Sequence, residues 1–294
     1  MATEDDERQA KIAALHTTLS EEVATLMTSD GWAAMLAAAA RFTHYSLNNT
    51  LLLYAQTAKR GMSTDSRVAG FNTWRNLGRM VRKGEKGLAI FSPCTYRAKS
   101  DPEASGEVEA SASAPAKGAK VLTGFRVAYV FAESQTDGEE IPDIRPALLP
   151  GDAPEGLWAR LADLVTAEGF ELERGDCGRA NGFTDRHRKI VRVRDDVSDA
   201  QAVKTLAHEL AHVLLHCDPA YNYGACQGAA EVEAESISYV VSAASGLNTT
   251  AYAAPYVAGW ADGDIKRVKH AAERVVSTSG LILARLDSRV LVAA

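Results

Sequence analysis

Two histidines and a glutamate within residues 204–216, which read KTLAHELAHVLLH, have the spacing of a metal site. His208 and His212 are four residues apart, so on a helix their side chains project from one face on successive turns. Two imidazoles at this separation can share one ion at roughly 2.0–2.1 Å. Glu209 leans toward the open coordination position, where a carboxylate can accept a proton from water. The surrounding apolar residues predict a buried helix, which favours a metal site over histidines on a solvated face.

We expect the third ligand to come from the acidic run at residues 231–235. Glu231 and Glu235 are four residues apart and share a helix face, whereas Glu233 points roughly 200° away. A ligand carboxylate, followed one turn later by an acid that holds a ligand histidine, is a usual arrangement. Glu231 is therefore the predicted ligand, and Glu235 the residue that orients His208 or, as its rival, binds the ion itself. Two histidines, a carboxylate and an open position are typical of hydrolytic zinc; Mn²⁺ is the alternative.

Spacing says less about the role of His216 and about which residue stabilises the oxyanion. His216 lies two helical turns from His208, roughly 12 Å along the axis, so we interpret it as a core histidine or one that supports a ligand. A metallopeptidase also needs a side chain that stabilises the oxyanion. Tyr256 is the catalytic candidate for that role, with Tyr252 and His270 as alternatives.

A second cluster of residues suited to chemistry is basic and lies at residues 59–93. Eight lysines and arginines and two acids give this stretch a net charge of +6 in a chain of net charge −6. Basic side chains can follow a single-stranded backbone while nearby rings stack on bases. The candidate DNA-binding residues are Asn48, Asn49, Tyr54, Gln56, Trp74, Arg75, Arg79, Arg82, Lys83 and Lys86. A solvated positive face, with Trp74 in the core, explains the composition nearly as well.

The sequence pattern predicts both helices and strands to position these residues. Helical periodicity predicts helices at residues 9–27, 32–42, 47–58 and 71–77 in the first half, and at 157–168, 200–217, 230–244 and 264–276 in the second. Glycines at 84 and 87 predict a hairpin between residues 79–82 and 88–91, with a strand at 125–131 paired back onto it. A strand at 189–194, either an edge strand that holds a peptide or an ordinary one, precedes the metal helix.

These elements predict an α+β protein of two domains. Helices and a small antiparallel sheet form the first, residues 1–145, and a gluzincin-like metallopeptidase domain forms the second, residues 150–294. Residues 99–120, rich in Ala, Ser and Glu, are predicted to be a mobile insertion within the first sheet. Prolines and acids at residues 141–154 mark the boundary.

The composition indicates the cellular compartment in which the protein is expected. The chain opens with acidic and polar residues rather than a signal peptide, and the alanine-rich run at 33–40 is too short to span a bilayer. Four scattered cysteines, without a CxxC pair, favour free thiols in a reducing compartment over a thiolate zinc cluster. We therefore expect a cytoplasmic protein without a membrane partner, and its net negative charge argues against general polyanion binding.

Several motifs in order carry a resemblance to a known family. The residues Asn48-Asn49-Thr50-Leu51-Leu52 to Gln56, VAGFNTW at 68–74, VRKGEKG at 81–87 and SQTDG at 134–138 resemble the N-terminal single-stranded-DNA-binding domain of ArdC-like antirestriction proteins. The HELAH and EVEAE motifs at 208–212 and 231–235 are similar to the ImmA/IrrE-type metallopeptidases fused to it. The resemblance implies a plasmid- or phage-related protein that binds single-stranded DNA and protects incoming DNA from restriction.

Two other functions remain open from the sequence. One is a regulatory metalloprotease that cleaves a repressor-like protein and uses the basic half to recognise protein. The other is a non-catalytic binding protein, in which the metal domain is a scaffold and protection comes from covering DNA. The protein or peptide substrate itself is unknown in every case.

Overall fold

Three helices begin the chain: α1 (Glu4–Thr25), α2 (Ser29–Arg41) and α3 (Leu47–Lys59). The computed structural model describes residues 4–62, 67–97, 120–139, 151–218, 220–221, 223–249, 261 and 263–290. A tight turn joins α1 to α2, where the Thr28 side chain accepts a 3.0 Å hydrogen bond from the Gly31 backbone N–H. A Cβ on Gly31 would collide with the carbonyl oxygen of Thr25, so this sharp turn requires glycine.

Short strands and a helix complete the first half. They are β1 (Val68–Ala69), α4 (Phe71–Asn76), β2 (Arg79–Val81), β3 (Leu88–Arg97), β4 (Lys120–Ala132), a 3-10 turn at Glu133–Gln135, and β5 (Thr136–Gly138). β4 lies between β1 and β3, and all pairs are antiparallel. The predicted strand at 125–131 does pair back onto residues 88–91. Residues 98–119, most of the predicted insertion, lie outside the described residues.

The predicted hairpin around residues 83–87 is wrong. β2 does not pair with β3; it pairs with β5 instead. Gln135 explains the separation, because its backbone carbonyl accepts from Arg82 N–H at 3.0 Å and its side chain donates to the Lys86 carbonyl at 2.9 Å. The Lys-Gly-Glu-Lys-Gly turn therefore packs against the segment after β4 and does not close a hairpin between β2 and β3.

The second half contains α5 (Leu157–Ala167), β6 (Glu171–Arg174), β7 (Gly182–Asp185), β8 (Ile190–Val193), α6 (Asp199–His216), α7 (Tyr223–Ala244) and α8 (Ile265–Val290). All four predicted helices are present, and the α+β class is confirmed. β8, the predicted strand at 189–194, pairs with β6 in parallel and with β7 antiparallel. It is therefore a central strand, so the option of an edge strand that holds a peptide is wrong for these residues.

The core joins the two halves of the chain. One cluster of buried apolar side chains includes Trp32 and Leu51 from the N-terminal helices together with Leu206 and Ile237 from α6 and α7. A smaller cluster packs Phe42, which follows α2, and residues of α2 and α3 against β3 and β4. The domain limits 1–145 and 150–294 stay a prediction, and the predicted boundary separates segments that share a core. Within the described part of the chain, no helix has both the length and the apolar character to cross a membrane.

Candidate metal centre and nucleic-acid surface

Helix α6 places its histidines beside a pocket because its other faces are apolar. Ser198 caps the helix by accepting from Gln201 N–H at 3.3 Å. Leu206 and Leu210 are fully buried in the core. The remaining face carries His208 and His212, whose side chains are 20% and 9% exposed. The i, i+4 spacing read from the sequence thus puts both imidazoles at the edge of the core, within reach of α7.

Three ligand atoms converge from α6 and α7. His208 Nε2 and His212 Nε2 are 3.0 Å apart. Glu231 Oε2 lies 3.5 Å from His208 Nε2, and Glu231 Oε1 lies 3.6 Å from His212 Nε2. Ligand atoms at 2.0–2.1 Å in a tetrahedron are about 3.3–3.4 Å from one another. The donor types and spacings of His208, His212 and Glu231 therefore suit a zinc-sized divalent cation, and these residues can hold one.

Glu235 contacts the opposite side of the His208 ring. Its Oε2 lies 3.3 Å from His208 Nδ1, and its Oε1 lies 2.9 Å from Lys204 Nζ. The hydrogen bond with His208, aided by Lys204, lowers the pKa of Glu235 to about 2. Burial lowers the pKa of His208, but hydrogen bonds with Glu231 and Glu235 outweigh it and raise that pKa to about 9. Glu231 and Glu235 thus face different nitrogens of one imidazole.

The Glu209 carboxylate is buried and held by β7. Thr184 Oγ1 donates to Glu209 Oε2 at 2.7 Å, and Glu209 is 5% exposed. Burial raises the pKa of Glu209, which makes it a stronger proton acceptor than a solvated carboxylate. A Cβ on Gly182 would lie 2.7 Å from Thr205 Cγ2 and 3.1 Å from Glu209 Oε1, so glycine is needed for this close approach. The sequence interpretation assigned no role at this site to Gly182 or Thr184.

His216 lies behind the metal-facing histidines. Its Nδ1 is 2.9 Å from His212 Nδ1, and its Nε2 is 2.9 Å from Glu233 Oε2. Burial lowers the pKa of His216. Glu233 points away from Glu231 and Glu235, as its position on the helix predicts, and it is buried against Arg274, whose Nη2 lies 3.1 Å from its Oε2.

A pocket of about 280 Å³ opens beside these groups. Its wall contains Asn181 and Gly182 at the start of β7, and Gln201 and Lys204 on α6. Tyr256, the predicted oxyanion-stabilising residue, and its alternative Tyr252 lie outside the described residues. The other alternative, His270, is exposed on α8.

Two of the predicted DNA-binding residues are structural, and their assignment is corrected. Trp74 is 1% exposed, and its Nε1 donates to the Phe131 carbonyl at 2.8 Å. Its ring cannot stack on a base without unfolding the sheet. Arg79 is 8% exposed and donates to Thr136 Oγ1 at 2.8 Å, with further bonds to the carbonyls of Thr136 and Gly138 in β5. It joins β2 to β5 rather than contacting phosphate.

Asn49 and Gln56 are also engaged within the protein. Asn49 exchanges two 2.9 Å hydrogen bonds with the backbone of Phe91, and Gln56 exchanges two 2.8 Å bonds with the backbone of Ala89. The two side-chain amides lie on one face of α3. They bond to backbone groups of β3 that face α3. Their prediction as DNA ligands is corrected for the same reason: a side-chain amide that satisfies a strand edge is not available to a base.

The remaining candidates differ in exposure. Arg75, Lys83 and Lys86 are exposed, whereas Asn48 and Tyr54 are half-buried on α3. Arg82 is exposed, but it forms ion pairs with Glu85 at 2.7 Å and Asp137 at 3.5 Å. Glu85 and Asp137 thus offset the positive charge of Arg82.

Three exposed rings of the first half were not among the candidate DNA-binding residues. Phe71, Phe125 and Tyr129 are 45%, 58% and 50% exposed. Phe125 and Tyr129 are four residues apart on β4 and so share one sheet face, the only signal the sequence offered. Gly87 lies directly against Tyr129, because a Cβ there would come 2.9 Å from Tyr129 Cβ. The basic turn therefore adjoins Tyr129 at Gly87.

Helix α6 with its HELAH motif, set against the acidic helix α7, defines an HExxH metallopeptidase-like domain that follows an α+β segment. Each of these two parts matches the model of a known protein family. Residues 9–131 match the N-terminal domain of anti-restriction factor ArdC, and residues 176–274 match the IrrE N-terminal-like domain, a peptidase family. The chain thus carries an ArdC-type N-terminal domain followed by an IrrE-like domain, and the resemblance inferred from its motifs is confirmed.

Individual relatives are distant. The metal-free crystal structure of the antirestriction ArdC protein from the R388 plasmid is 19% identical, with a TM-score of 0.48 over 83% of this chain and 86% of that one. The Mn(II)-bound structure of the same protein is 21% identical, with a TM-score of 0.45 over 82% of this chain and 88% of that one. An uncharacterized protein of Bacillus anthracis is 24% identical over 281 residues, which cover 85% of this chain. The chain spans about half the length of that relative, 47%.

Proposed function

We propose that this chain is an antirestriction-type protein of a plasmid or phage, which binds single-stranded DNA and hydrolyses a peptide bond in a protein substrate. The proposal assigns a zinc ion to His208, His212 and Glu231, with Glu235 as the residue that orients His208. The observation that carries it is the convergence of three ligand atoms beside the buried Glu209 carboxylate, at the edge of an open pocket.

The residues divide the chemistry between them. Zinc, when bound, polarises the scissile carbonyl and lowers the pKa of water. Glu209 accepts the proton of the attacking water and passes it to the leaving amine. The 2.7 Å bond from Thr184 restrains one carboxylate oxygen, so the other is the one that moves the proton. Tyr256 remains the proposed residue for oxyanion stabilisation.

The substrate would be held by β7 rather than by β8. β8 has a strand on each side, whereas β7 pairs with β8 along one edge and presents its start, Asn181 and Gly182, to the pocket. An extended peptide can add to such an edge through main-chain hydrogen bonds. That placement brings its carbonyls past Glu209.

For DNA, we propose a binding surface that combines exposed aromatic side chains with exposed lysine and arginine side chains. Phe71, Phe125 and Tyr129 would stack on bases, while Arg75, Lys83 and Lys86 contact phosphates. Asn48, Tyr54 and Arg82 stay as weaker candidates because each is half-buried or ion-paired. This surface replaces Trp74 with rings that solvent can reach.

One pair of measurements tests the proposal. Elemental analysis of the purified protein should give one zinc per chain, and fluorescence titration should give tighter binding to a single-stranded oligonucleotide than to its duplex. Glu209→Gln should keep zinc and DNA affinity but lose proteolysis. Protection from restriction that survives Glu209→Gln would favour the non-catalytic DNA-covering protein. Proteolysis without any DNA binding would favour the regulatory metalloprotease.

A further inference from the structure

A buried chain of polar side chains leads from the metal-facing histidines to the far side of α6. It runs from His212 to His216, from His216 to Glu233, and from Glu233 to Arg274 of α8, with atom separations of 2.9, 2.9 and 3.1 Å. The side chains of His216 and Glu233 are only 1% and 6% exposed. Protein atoms, rather than bulk water, therefore set their orientation.

The order of donors along this chain follows from the direction in which His212 faces. Its Nε2 is directed at His208 and Glu231, and binding an ion there requires the lone pair on Nε2. The neutral ring then carries its hydrogen on Nδ1 and donates it to His216 Nδ1. His216 must accept at Nδ1, so it carries its own hydrogen on Nε2 and donates that to Glu233. Arg274 faces the resulting carboxylate charge.

We propose that His216 is a positioning residue that fixes the tautomer and ring orientation of His212, with Glu233 and Arg274 as its anchor. The inference rests on the proposed metal centre. A histidine ligand commonly donates its second N–H directly to a carboxylate or carbonyl, as His208 does to Glu235. Here an extra imidazole stands between the ligand and the carboxylate. The two histidine ligands are thus supported in different ways.

The surroundings of His216 argue against a merely space-filling role. An apolar side chain would fill a buried position without the cost of desolvating a ring, a carboxylate and a guanidinium. The Tyr221 ring lies 5.0 Å from the His216 ring, and Arg274 lies over the same tyrosine at 5.7 Å. Both ring nitrogens of His216 have polar partners, and His216 touches a proposed ligand.

The test compares zinc affinity with stability in the full-length chain. His216→Leu removes both hydrogen bonds, and His216→Gln keeps a side chain that can accept and donate. Zinc dissociation constants come from competition with a chromogenic chelator, and melting temperatures are measured in excess chelator. We expect His216→Leu to weaken zinc binding 10- to 100-fold, His216→Gln to recover part of that loss, and Glu233→Gln to give a smaller loss. His44→Leu, at an exposed histidine in the turn between α2 and α3, is the matched control and should change neither quantity.

A spectroscopic measurement separates positioning from packing. With Co²⁺ as the probe, the visible absorption bands report ligand geometry, and we expect them to change in His216→Leu and to return toward wild type in His216→Gln. Unchanged zinc affinity and Co²⁺ bands, with only a lower melting temperature in chelator, would overturn the inference. If His216→Leu does not fold, the glutamine variants at 216 and 233 decide by the same criteria. A wild-type chain that binds no zinc overturns the proposed function and this inference together.

Discussion

The indole Nε1 of Trp32 donates a 3.0 Å hydrogen bond to Ser236 Oγ, and both residues are completely buried. Trp32 belongs to α2 in the N-terminal half. Ser236 belongs to α7 and follows Glu235 directly. The helix that supplies the acidic residues of the metal centre is therefore packed against the half of the chain that carries the proposed DNA surface.

This contact predicts that the two halves unfold together. Trp32→Ala should cost about 3–5 kcal/mol, because a large buried ring is lost and the cavity collapses only in part. Urea unfolding followed by circular dichroism and by zinc release should shift to the same lower midpoint. Leu281→Ala, at an exposed position on α8, is the control and should stay within about 0.5 kcal/mol. Zinc release at an unchanged midpoint would show that the halves are independent.

Metal removal should destabilise the wild-type chain. An ion that binds only the folded state at a hundred times its dissociation constant stabilises by about 2.7 kcal/mol. The melting temperature should therefore fall on adding chelator. In His208→Ala it should be the same with and without chelator. Glu231→Gln should lose more zinc affinity than Glu235→Gln, because only Glu231 faces Nε2 of both histidines. The reverse order would make Glu235 the ligand.

The contact between Thr184 and Glu209 predicts a selective effect on turnover. Thr184→Val keeps the shape of the side chain but removes the 2.7 Å hydrogen bond, so the carboxylate should lose its fixed orientation. We expect a lower kcat with zinc content unchanged, and Thr184→Ser should retain most activity. Gly182→Ala should impair both zinc binding and stability, since its Cβ has no room beside Thr205. A fall in zinc content in Thr184→Val would argue against a role limited to Glu209.

The proposed DNA surface predicts two kinds of variant. Phe71→Ala and Tyr129→Ala should each lose about 1–3 kcal/mol of single-strand affinity with little change in salt dependence. Lys83→Ala with Lys86→Ala should instead flatten the dependence of binding on salt, by a slope of about 0.7 for each lost phosphate contact. Fluorescence titrations at several salt concentrations measure both. Phe183→Ala, at an exposed ring in the second half, is the control.

Trp74→Ala provides the contrast to these variants. Because Trp74 is buried and bonded to Phe131, the variant should melt earlier, and any loss of DNA binding should follow the loss of folded protein. Circular dichroism melts beside the titrations give this comparison. A Trp74→Ala chain of normal stability that no longer binds DNA would return the ring to the DNA surface.

The predicted insertion should be dispensable. Arg97 at the end of β3 pairs with Lys120 at the start of β4, so the two strands are in register where the insertion leaves and returns. A two-residue Asn-Gly turn in place of residues 98–119 can join them directly. We expect a melting temperature close to that of the intact chain. A large drop would show that these residues pack against the rest of the protein.

The sequence by itself determined the parts of this protein that depend on spacing within one element. Helical geometry alone places His208 and His212 on one face, puts Glu231 and Glu235 together and turns Glu233 away. It also shows that His216 is too far along the axis to share an ion with His208. These relations follow from 3.6 residues per turn and do not depend on what the helix packs against.

Tertiary structure decided every relation between elements. The sequence alone left both Glu231 and Glu235 as candidates, and the packing of α7 on α6 places them beside different nitrogens of His208. Trp74, Arg79, Asn49 and Gln56 looked available for DNA, but distant backbone groups on β3, β4 and β5 use their donors. Side-chain type states which bonds a residue can make, whereas the identity of its partner depends on contacts far away in the chain. The same reason explains why β2 pairs with β5 rather than with β3, and why β8 lies at the centre of its sheet.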